Sequence, residues 1–202
     1  VQCWGSNVYG QLGNGSTTDS TTPAAVSGLN GVTALELGLR HSCAIVAGGA
    51  VQCWGFNQFG QLGDGSTISS TRPVTVTALT GATGLALGGL HSCAIIASGA
   101  VKCWGDNFYG QLGNAGTTGS ALPTSVIGLT QVTSLKLGYG HSCAIIPGAL
   151  VRCWGNNFNG QLGSASTTNS PTPIAISDLS GVTALALGDS HSCAIIAGSA
   201  VQ

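Results

Sequence analysis

The sequence predicts an all-β protein built from four repeated units of about four antiparallel strands each, and three observations support this prediction. The 202-residue chain contains one pattern that recurs every fifty residues without insertion or deletion. Short alternating or β-branched segments fill each unit, and glycine interrupts every window long enough for a stable helix. About four strands per fifty residues is the size of a β-propeller blade, so we predict four blades in this chain.

The repeat is defined by motifs that keep one spacing. The motif His41-Ser42-Cys43 is one of three that occur in every unit. Four copies in register indicate a single repeat array over residues 1–202, with repeats at about 1–50, 51–100, 101–150 and 151–202. This first motif begins at His41, His91, His141 and His191. The second motif, Cys-Trp-Gly, begins at Cys3, Cys53, Cys103 and Cys153, and the third, Gly-Gln-Leu-Gly, begins at Gly10, Gly60, Gly110 and Gly160.

The strands can be placed within the first unit. A strand over residues 23–26 begins with proline, which fits a strand start or a sheet edge. Residues 32–37 alternate with a period of two, residues 41–46 are rich in β-branched side chains, and residues 50–54 follow a Gly48-Gly49 turn. We expect the last three segments to be consecutive antiparallel strands.

These motifs carry a resemblance to a known family. The pattern Leu-x-Leu-Gly-x-x-His-Ser-Cys-Ala-Ile, followed by Val-x-Cys-Trp-Gly-x-Asn-x-x-Gly-Gln-Leu-Gly, closely resembles the repeats of the regulator of chromosome condensation family along the entire chain. The resemblance implies a β-propeller, and the best-known members have seven blades. It also implies relatives that contact a small GTPase and chromatin, or that inhibit a secreted hydrolase.

The charge composition argues against several classes of partner. The chain has five basic and six acidic residues and a formal net charge of −1, so it lacks a basic face for phosphates or anionic membranes. Its longest apolar runs, such as residues 143–147, fall far short of the roughly 20 residues that span a bilayer. We therefore expect no nucleic acid partner, no membrane insertion and no cofactor.

The cysteine spacing predicts disulfides across a hairpin. Cys43 and Cys53 flank the turn at Gly48, so they face each other across an antiparallel pair at a separation that a disulfide tolerates with modest adjustment. The same spacing pairs Cys93 with Cys103 and Cys143 with Cys153. Disulfides place the protein outside the cell or at its surface. The alternatives are zinc bound by His41 and Cys43, which would need further ligands in every repeat, or free buried thiols.

Two cysteines lack a partner by this spacing. Cys193 has no cysteine ten residues later, and Cys3 has none ten residues earlier. The tail stops where Cys-Trp-Gly would follow, and residues 1–4 supply that strand. The N-terminal strand is therefore expected to complete the last blade of its own chain or that of a neighbouring subunit, unless the sequence is a window of a longer array. These alternatives predict a closed ring, an oligomer or filament, and a continuous polypeptide, respectively.

The repeated polar residues favour architecture over catalysis. We expect His41 and each of its equivalents to form a hydrogen bond with a carbonyl of a neighbouring loop. Ser42 is the next residue of the strand, so its side chain points to the opposite face, away from the histidine. The acidic residues share no repeat position, so no carboxylate pair for acid–base chemistry can be placed. Asn7 and the glycines of the Gly10-Gln11-Leu12-Gly13 loop are expected to provide turns with positive φ, because the loop lacks the Lys-Ser/Thr ending of a phosphate loop. We predict no enzymatic activity.

Two surface features are candidates for recognition. Trp4 and its equivalents are expected to pack between blades. Asn14-Gly15-Ser16 is a glycosylation sequon, and it makes Asn14 a candidate modification site. Aromatic residues that vary between repeats within one loop form a candidate interaction surface, consisting of Tyr9, Phe56, Phe59, Phe108, Tyr109 and Phe158.

The leading functional hypothesis is a non-enzymatic extracellular structural or interaction scaffold that self-assembles into an oligomer or filament. Near-identical units support it, because identical units make identical contacts and can propagate. The alternative is a propeller that recognises or inhibits a partner protein through the aromatic loops. A third and weaker hypothesis is a carbohydrate binder that uses the same rings.

Overall fold

A computed structural model describes residues 1–198 and the backbone of residues 200–201. Every regular element among the described residues is a β-strand, which confirms the all-β prediction. The strands are β1 (Gln2–Gly5), β2 (Ser20–Ala25), β3 (Val32–Leu37), β4 (His41–Val46), β5 (Ala50–Gly55), β6 (Ser70–Thr75), β7 (Ala82–Leu87), β8 (His91–Ile96), β9 (Val101–Gly105), β10 (Ser120–Ser125), β11 (Ser134–Leu137), β12 (His141–Ile146), β13 (Leu150–Gly155), β14 (Ser170–Ala175), β15 (Val182–Leu187), β16 (Ser192–Ile196) and β17 (Ala200–Val201).

The strands form antiparallel blades, as the sequence predicts. Blade 1 contains β3–β6, blade 2 contains β7–β10 and blade 3 contains β11–β14, each in sequential order. Two smaller sheets flank them: the N-terminal partial blade, β1–β2, and the C-terminal partial blade, β15–β17. Among the described residues, β1 pairs with β2 and not with β16 or β17. The strand at the start of the chain therefore does not complete the last blade of the same chain.

The predicted strands agree with the structure, although the blade is offset from the sequence unit. Strands over residues 32–37 and 41–46 are confirmed, and the strand predicted at 50–54 extends to Gly55. The strand predicted at 23–26 lies at Ser20–Ala25 and pairs with β1, not with β3–β5. The fourth strand of blade 1 is instead β6, which lies fifty residues further along the chain.

The hairpin formed by the second and third strands of each blade fixes the register of the repeated histidine and cysteines. In blade 1, His41 lies opposite Gly55 and Cys43 lies opposite Cys53. Gly48 and Gly49 turn the chain with φ values of 86° and 75°, a conformation that glycine adopts without a steric penalty. The turn thereby brings the two cysteines of each hairpin together.

The hydrophobic core lies between blades, not within one of them. Cys43 and Ile45 of blade 1 pack with Leu85 and Trp104 of blade 2 in one cluster of buried residues. Equivalent clusters join blades 2 and 3, blade 3 and the C-terminal partial blade, and the N-terminal partial blade and blade 1. Each blade is therefore stabilised by its neighbours, as expected of a repeat architecture.

Candidate functional site

A histidine from each blade bonds to a serine of the next blade. The Nε2 atom of His41 lies 2.8 Å from Ser92 Oγ, and His91 Nε2 lies 2.9 Å from Ser142 Oγ. His141 Nε2 makes the same contact with Ser192 at 2.9 Å. The expectation that the histidine bonds a loop carbonyl is wrong, because the neighbouring strand presents a hydroxyl at that position.

The hydrogen-bond directions assign the proton on each histidine. The single hydroxyl proton of Ser92 is donated to the backbone carbonyl of Gln61 at 2.9 Å, so Ser92 Oγ must accept from His41 Nε2–H. The other ring nitrogen, Nδ1 of His41, is buried without a hydrogen-bond partner. The serine proton is already committed to a carbonyl, and the histidine does not accept it. The pair is therefore structural and is not a nucleophile–base pair.

Burial keeps these imidazoles neutral. Loss of solvation lowers the pKa of His41 to about 3, and the same effect, together with the nearby His141 and His41, lowers the pKa of His91 to about 3. Burial and His191 lower the pKa of His141 to about 4, although Asp189 opposes the change. At neutral pH, the three residues are uncharged hydrogen-bonding groups at the blade junctions.

A tryptophan closes each internal junction. Trp54, Trp104 and Trp154 are 0% exposed. Trp54 Nε1 donates to the Gln11 carbonyl at 2.8 Å, and Ser42 Oγ donates to the same oxygen at 2.9 Å. Gly13 lies against this ring, and a Cβ at that position would come within 2.7 Å of Trp54 Nε1. Packing between blades is thus the role of the buried tryptophans, as the sequence predicts.

An asparagine organises each loop between the third and fourth strands of a blade. Asn57 Nδ2 donates to the carbonyls of Ser66 and Ile68, and its Oδ1 accepts from Leu62 N at 2.8 Å. Gly60 and Gly63 have positive φ, as expected. The expectation that the asparagines share this conformation is wrong, because positive φ among the described residues occurs at glycines, four alanines and Gln131. The asparagine acts through its side chain.

Three disulfides are present at the predicted positions. They join Cys43 to Cys53, Cys93 to Cys103 and Cys143 to Cys153. The remaining two cysteines, Cys3 and Cys193, are not bonded to each other or to another cysteine within the chain. Across the described part of the chain, no three His, Cys, Asp or Glu side chains gather into a potential metal site.

The outer faces at the two ends of the array of blades are uncovered. Trp4 is 63% exposed, whereas its three equivalents are buried completely. Leu37 is 63% exposed and its equivalent Leu87 only 8%. Ile195 is 43% exposed, although Ile145 is 6% exposed in the preceding repeat. The same residue types that form the internal junctions are therefore presented to solvent at both outer faces.

The aromatic loops form two clusters at one end of the blades. In one, the rings of Tyr9 and Phe56 lie 4.9 Å apart, and Phe59 lies 6.2 Å from Phe56. The guanidinium of Arg40 stands 5.0 Å from the centre of the Tyr9 ring. In the second cluster, Tyr109 lies between Phe108 at 5.0 Å and Phe158 at 5.6 Å.

The candidate surface residues differ in accessibility. Phe108 is 72% exposed, Phe158 is 62% exposed and Phe59 is 44% exposed. Phe56 is 6% exposed, so its inclusion as a contact residue is corrected: the ring supports Tyr9 and Phe59 from beneath. Arg40 is an exposed member of the first cluster that sequence reasoning missed, since no repeat position signals it.

The glycosylation candidate Asn14 lies in a polar turn. Its Oδ1 accepts from Ser16 N and Ser16 Oγ, both at 3.0 Å, and from Asn7 Nδ2 at 3.3 Å. The residue is half-buried. Glycosylation of Asn14 stays a prediction.

Sequence comparison assigns the family. The model of the "Regulator of chromosome condensation (RCC1) repeat" matches residues 1–45, 48–95, 98–145 and 151–195. The chain belongs to this family. A second model of the RCC1 repeat matches residues 32–61 and 83–111, which cross the boundaries of the fifty-residue units as the blades do. No curated protein matches the chain in sequence.

Solved structures support the RCC1 propeller fold. Prp20p from Saccharomyces cerevisiae is 20% identical with a TM-score of 0.84, and the match covers 96% of this chain and 50% of that chain. Human WBSCR16 is 20% identical with a TM-score of 0.59, and the match covers 96% of this chain and 66% of that chain. The ectodomain of the receptor kinase CR4 from Physcomitrella patens is 20% identical with a TM-score of 0.60, and the match covers 99% of this chain and 44% of that chain. The chain thus spans about half the length of Prp20p.

A search of the described residues for a membrane-spanning helix found none.

Propellers of this family commonly mediate protein interactions. The structures of Prp20p were described with its binding to Gsp1p and histones and with Kap60 bound.

Proposed function

We propose that this RCC1-repeat chain is a non-enzymatic extracellular interaction scaffold that joins to other copies of itself. The observation that carries the proposal is the exposure of junction residues at both outer faces. Trp4 on one face and Ile195 on the other have equivalents that are buried at every internal junction, and Leu37 has buried equivalents in Leu87 and Leu137. Burying such apolar surface is favourable at roughly 25 cal/mol per Å², so these faces favour association.

The shape of the two faces supports association. A cleft of about 410 Å³ lies beside Trp4, Leu37 and Ser42. A second cleft of about 270 Å³ lies beside His191 and Cys193 at the other outer face. Each cleft is lined by the groups that occupy an internal junction when a neighbouring blade is present.

The extracellular location rests on the disulfides and the charge. Three disulfides persist in oxidising compartments and are rare in the cytosol. Five basic residues leave little to hold nucleosomal DNA, so the chromatin interaction of some relatives does not transfer to this chain. The proposed lack of enzymatic activity is supported by the serine–histidine geometry, in which both groups are used by the fold and do not form a nucleophile–base pair.

Self-association can be tested by measuring the native mass. The purified protein is expected to form a dimer or larger species at micromolar concentration, and the mass is to be measured by sedimentation or native mass spectrometry. Because the contact surface is apolar, added salt is expected to leave association largely unchanged. A strictly monomeric protein with and without reductant would contradict the proposal.

A second candidate function is recognition of a partner protein by the aromatic loops. Exposed aromatic side chains on a rigid scaffold are typical of protein contacts, and Phe108 and Phe158 are the most exposed rings of the two clusters. Related propellers mediate protein interactions, and this supports the same hypothesis. The carbohydrate-binding alternative would use these same rings.

Alanine substitutions at the exposed rings test this candidate. The double variant Phe108→Ala, Phe158→Ala is expected to reduce binding of an extracellular protein ligand at least tenfold, on the order of a hot-spot loss. Ile127→Ala is the matched control, because Ile127 is a 50% exposed apolar residue outside both clusters. Binding should be measured by surface plasmon resonance. Equal losses in both variants would contradict a specific role, and ring-dependent binding to a glycan array would favour the carbohydrate alternative.

A further inference from the structure

We propose that Asn30 and Gly31 form a site of spontaneous deamidation, at which the side-chain amide of Asn30 is converted to aspartate and isoaspartate. The site is independent of self-association and of the aromatic loops. The chain contains three Asn-Gly steps, and the fold protects the reacting backbone nitrogen in the other two. The three steps are Asn14-Gly15, Asn30-Gly31 and Asn159-Gly160.

The reaction uses only groups of the chain and water. The backbone nitrogen of Gly31 loses its proton to hydroxide and attacks Cγ of Asn30. The new nitrogen–carbon bond closes a succinimide ring, and the side-chain nitrogen takes a proton from water and leaves as ammonia. Water then opens the ring at either carbonyl and gives aspartate or isoaspartate, with no transfer of electrons. Glycine favours ring closure because no Cβ obstructs the approach of its nitrogen.

Backbone hydrogen bonds protect two of the three steps. Gly15 N donates to the Thr71 carbonyl at 2.9 Å, and Gly160 N donates to the Asn157 carbonyl at 2.9 Å. Each bond must break before the nitrogen can lose its proton and turn toward the neighbouring side chain. Deamidation at these two steps therefore requires a local opening of the fold.

The Asn30-Gly31 step lacks this protection. Within the part of the chain that the structure describes, Gly31 N donates to no backbone carbonyl. Asn30 and Gly31 are both exposed, and Gly31 has a φ of 64°. The nucleophile, the amide that it attacks and the water that completes the reaction can therefore meet without unfolding.

The other repeats show that the unpaired nitrogen belongs to the architecture. The residue at the position of Asn30 is exposed in all four units, and the backbone nitrogen that follows donates to no backbone carbonyl of the described residues in any of them. Only the first unit has an asparagine there, because the equivalents of Asn30 are Thr80, Thr130 and Ser180. Their hydroxyl side chains cannot form a succinimide. The reactive step is thus specific to one loop, between β2 and β3.

The two products differ in their effect on this loop. Isoaspartate adds its Cβ to the main chain between Leu29, which is buried in the cluster with Trp54, and Gly31, whose carbonyl accepts from Ala47 N at 2.8 Å. The longer backbone cannot hold both contacts, and the exposed hydrogen bond to Ala47 is weaker than the burial of a leucine. We expect that bond to open. Aspartate keeps the backbone length and adds one negative charge to a chain of formal net charge −1.

Incubation of the folded protein in mildly alkaline buffer tests the site. The aged protein is digested, and fragmentation in a mass spectrometer locates each asparagine that has become an acid. Asn30 is expected to convert at least about fivefold faster than Asn14 or Asn159, because a hydrogen bond holds the nucleophile at the other two steps. The rate should rise with pH, since the nitrogen must lose a proton. Methyl transfer from S-adenosylmethionine by an isoaspartyl methyltransferase identifies the isoaspartate.

Variants taken from the other repeats provide matched controls. Asn30→Thr places the residue of position 80 in the loop and should abolish the isoaspartate signal from this site. Gly31→Gln should lower the signal several-fold, and glutamine is compatible with the loop because Gln131 has a φ of 55°. Amide hydrogen exchange at Ala47 should become faster in aged protein but stay unchanged in Asn30→Asp, which carries the charge without the longer backbone.

Denatured protein separates the effect of the fold from that of the neighbouring sequence. In guanidinium chloride with reductant, the three Asn-Gly steps are expected to convert at similar rates. A preference for Asn30 that appears only in the folded protein supports the proposal. The same preference in denatured protein would assign it to sequence and overturn the protective role of the fold. Equal rates in the folded protein, or an Asn30 that stays unconverted, would overturn the site itself.

Discussion

Replacement of Trp104 by alanine is expected to lower the free energy of unfolding by about 3 to 5 kcal/mol. The ring is fully buried in the cluster that joins blades 1 and 2, and its Nε1 donates to the Gln61 carbonyl at 2.9 Å. The substitution removes both the packing and the hydrogen bond, and it leaves a cavity at the blade junction. Urea unfolding followed by far-ultraviolet circular dichroism measures the effect.

Trp4→Ala is the matched control for Trp104→Ala. Trp4 occupies the same repeat position but is 63% exposed, so its loss is expected to cost less than about 1 kcal/mol in a monomeric sample. The comparison holds residue type and neighbouring sequence nearly constant and varies burial. Similar losses in the two variants would mean that the N-terminal face is already covered in the sample, or that the tryptophans do not stabilise the junctions. A concentration series separates these two results, because only the first depends on mass action.

The local hairpins could be predicted from the sequence because their signals are short-range. A period-two segment, a Gly48-Gly49 turn and a second strand specify the pairing, and the pairing specifies the disulfide between Cys43 and Cys53. No information from distant residues is required. The same reasoning applies to the other two hairpins.

The limits of a blade could not be predicted because a repeat specifies spacing but not phase. The strand at Ser20–Ala25 could pair with the strand before it or with those after it. The structure shows pairing with β1 and a shift of register between Cys3 and Gly5. The loop that follows β2 then carries the chain to the innermost strand of the next blade. That long-range choice depends on packing between blades, which no local pattern records.

The aromatic loops show a similar limit at the level of single side chains. Phe56 and Phe158 lie in equivalent loops and differ by two positions within the repeat. Phe56 is 6% exposed because Tyr9 of the preceding blade and Phe59 pack on it, whereas Phe158 is 62% exposed. Sequence variation identified the loops as a candidate surface, but the burial of one ring depends on a neighbour about fifty residues away.

Lowering the pH from 7 to 5 is expected to reduce the free energy of unfolding by about 5 kcal/mol. Burial lowers the pKa of His41 and His91 to about 3 and that of His141 to about 4, while an unfolded histidine titrates near 6.5. Between these values, the unfolded chain binds protons that the folded chain does not bind. The stabilisation is therefore present above pH 6.5 and is lost progressively as the pH falls from 6.5 toward 3.

The contribution of one histidine can be isolated by its effect on the slope. His91→Gln removes one of three buried imidazoles, so the loss of stability between pH 7 and pH 5 should decrease by about one third. Any constant cost of the substitution cancels, because only the pH dependence is compared. His191→Gln is the control, since His191 is exposed in the isolated chain. Urea midpoints at four pH values give the slopes, and equal slopes in His91→Gln and the unsubstituted protein would exclude buried neutral histidines as the cause of acid sensitivity.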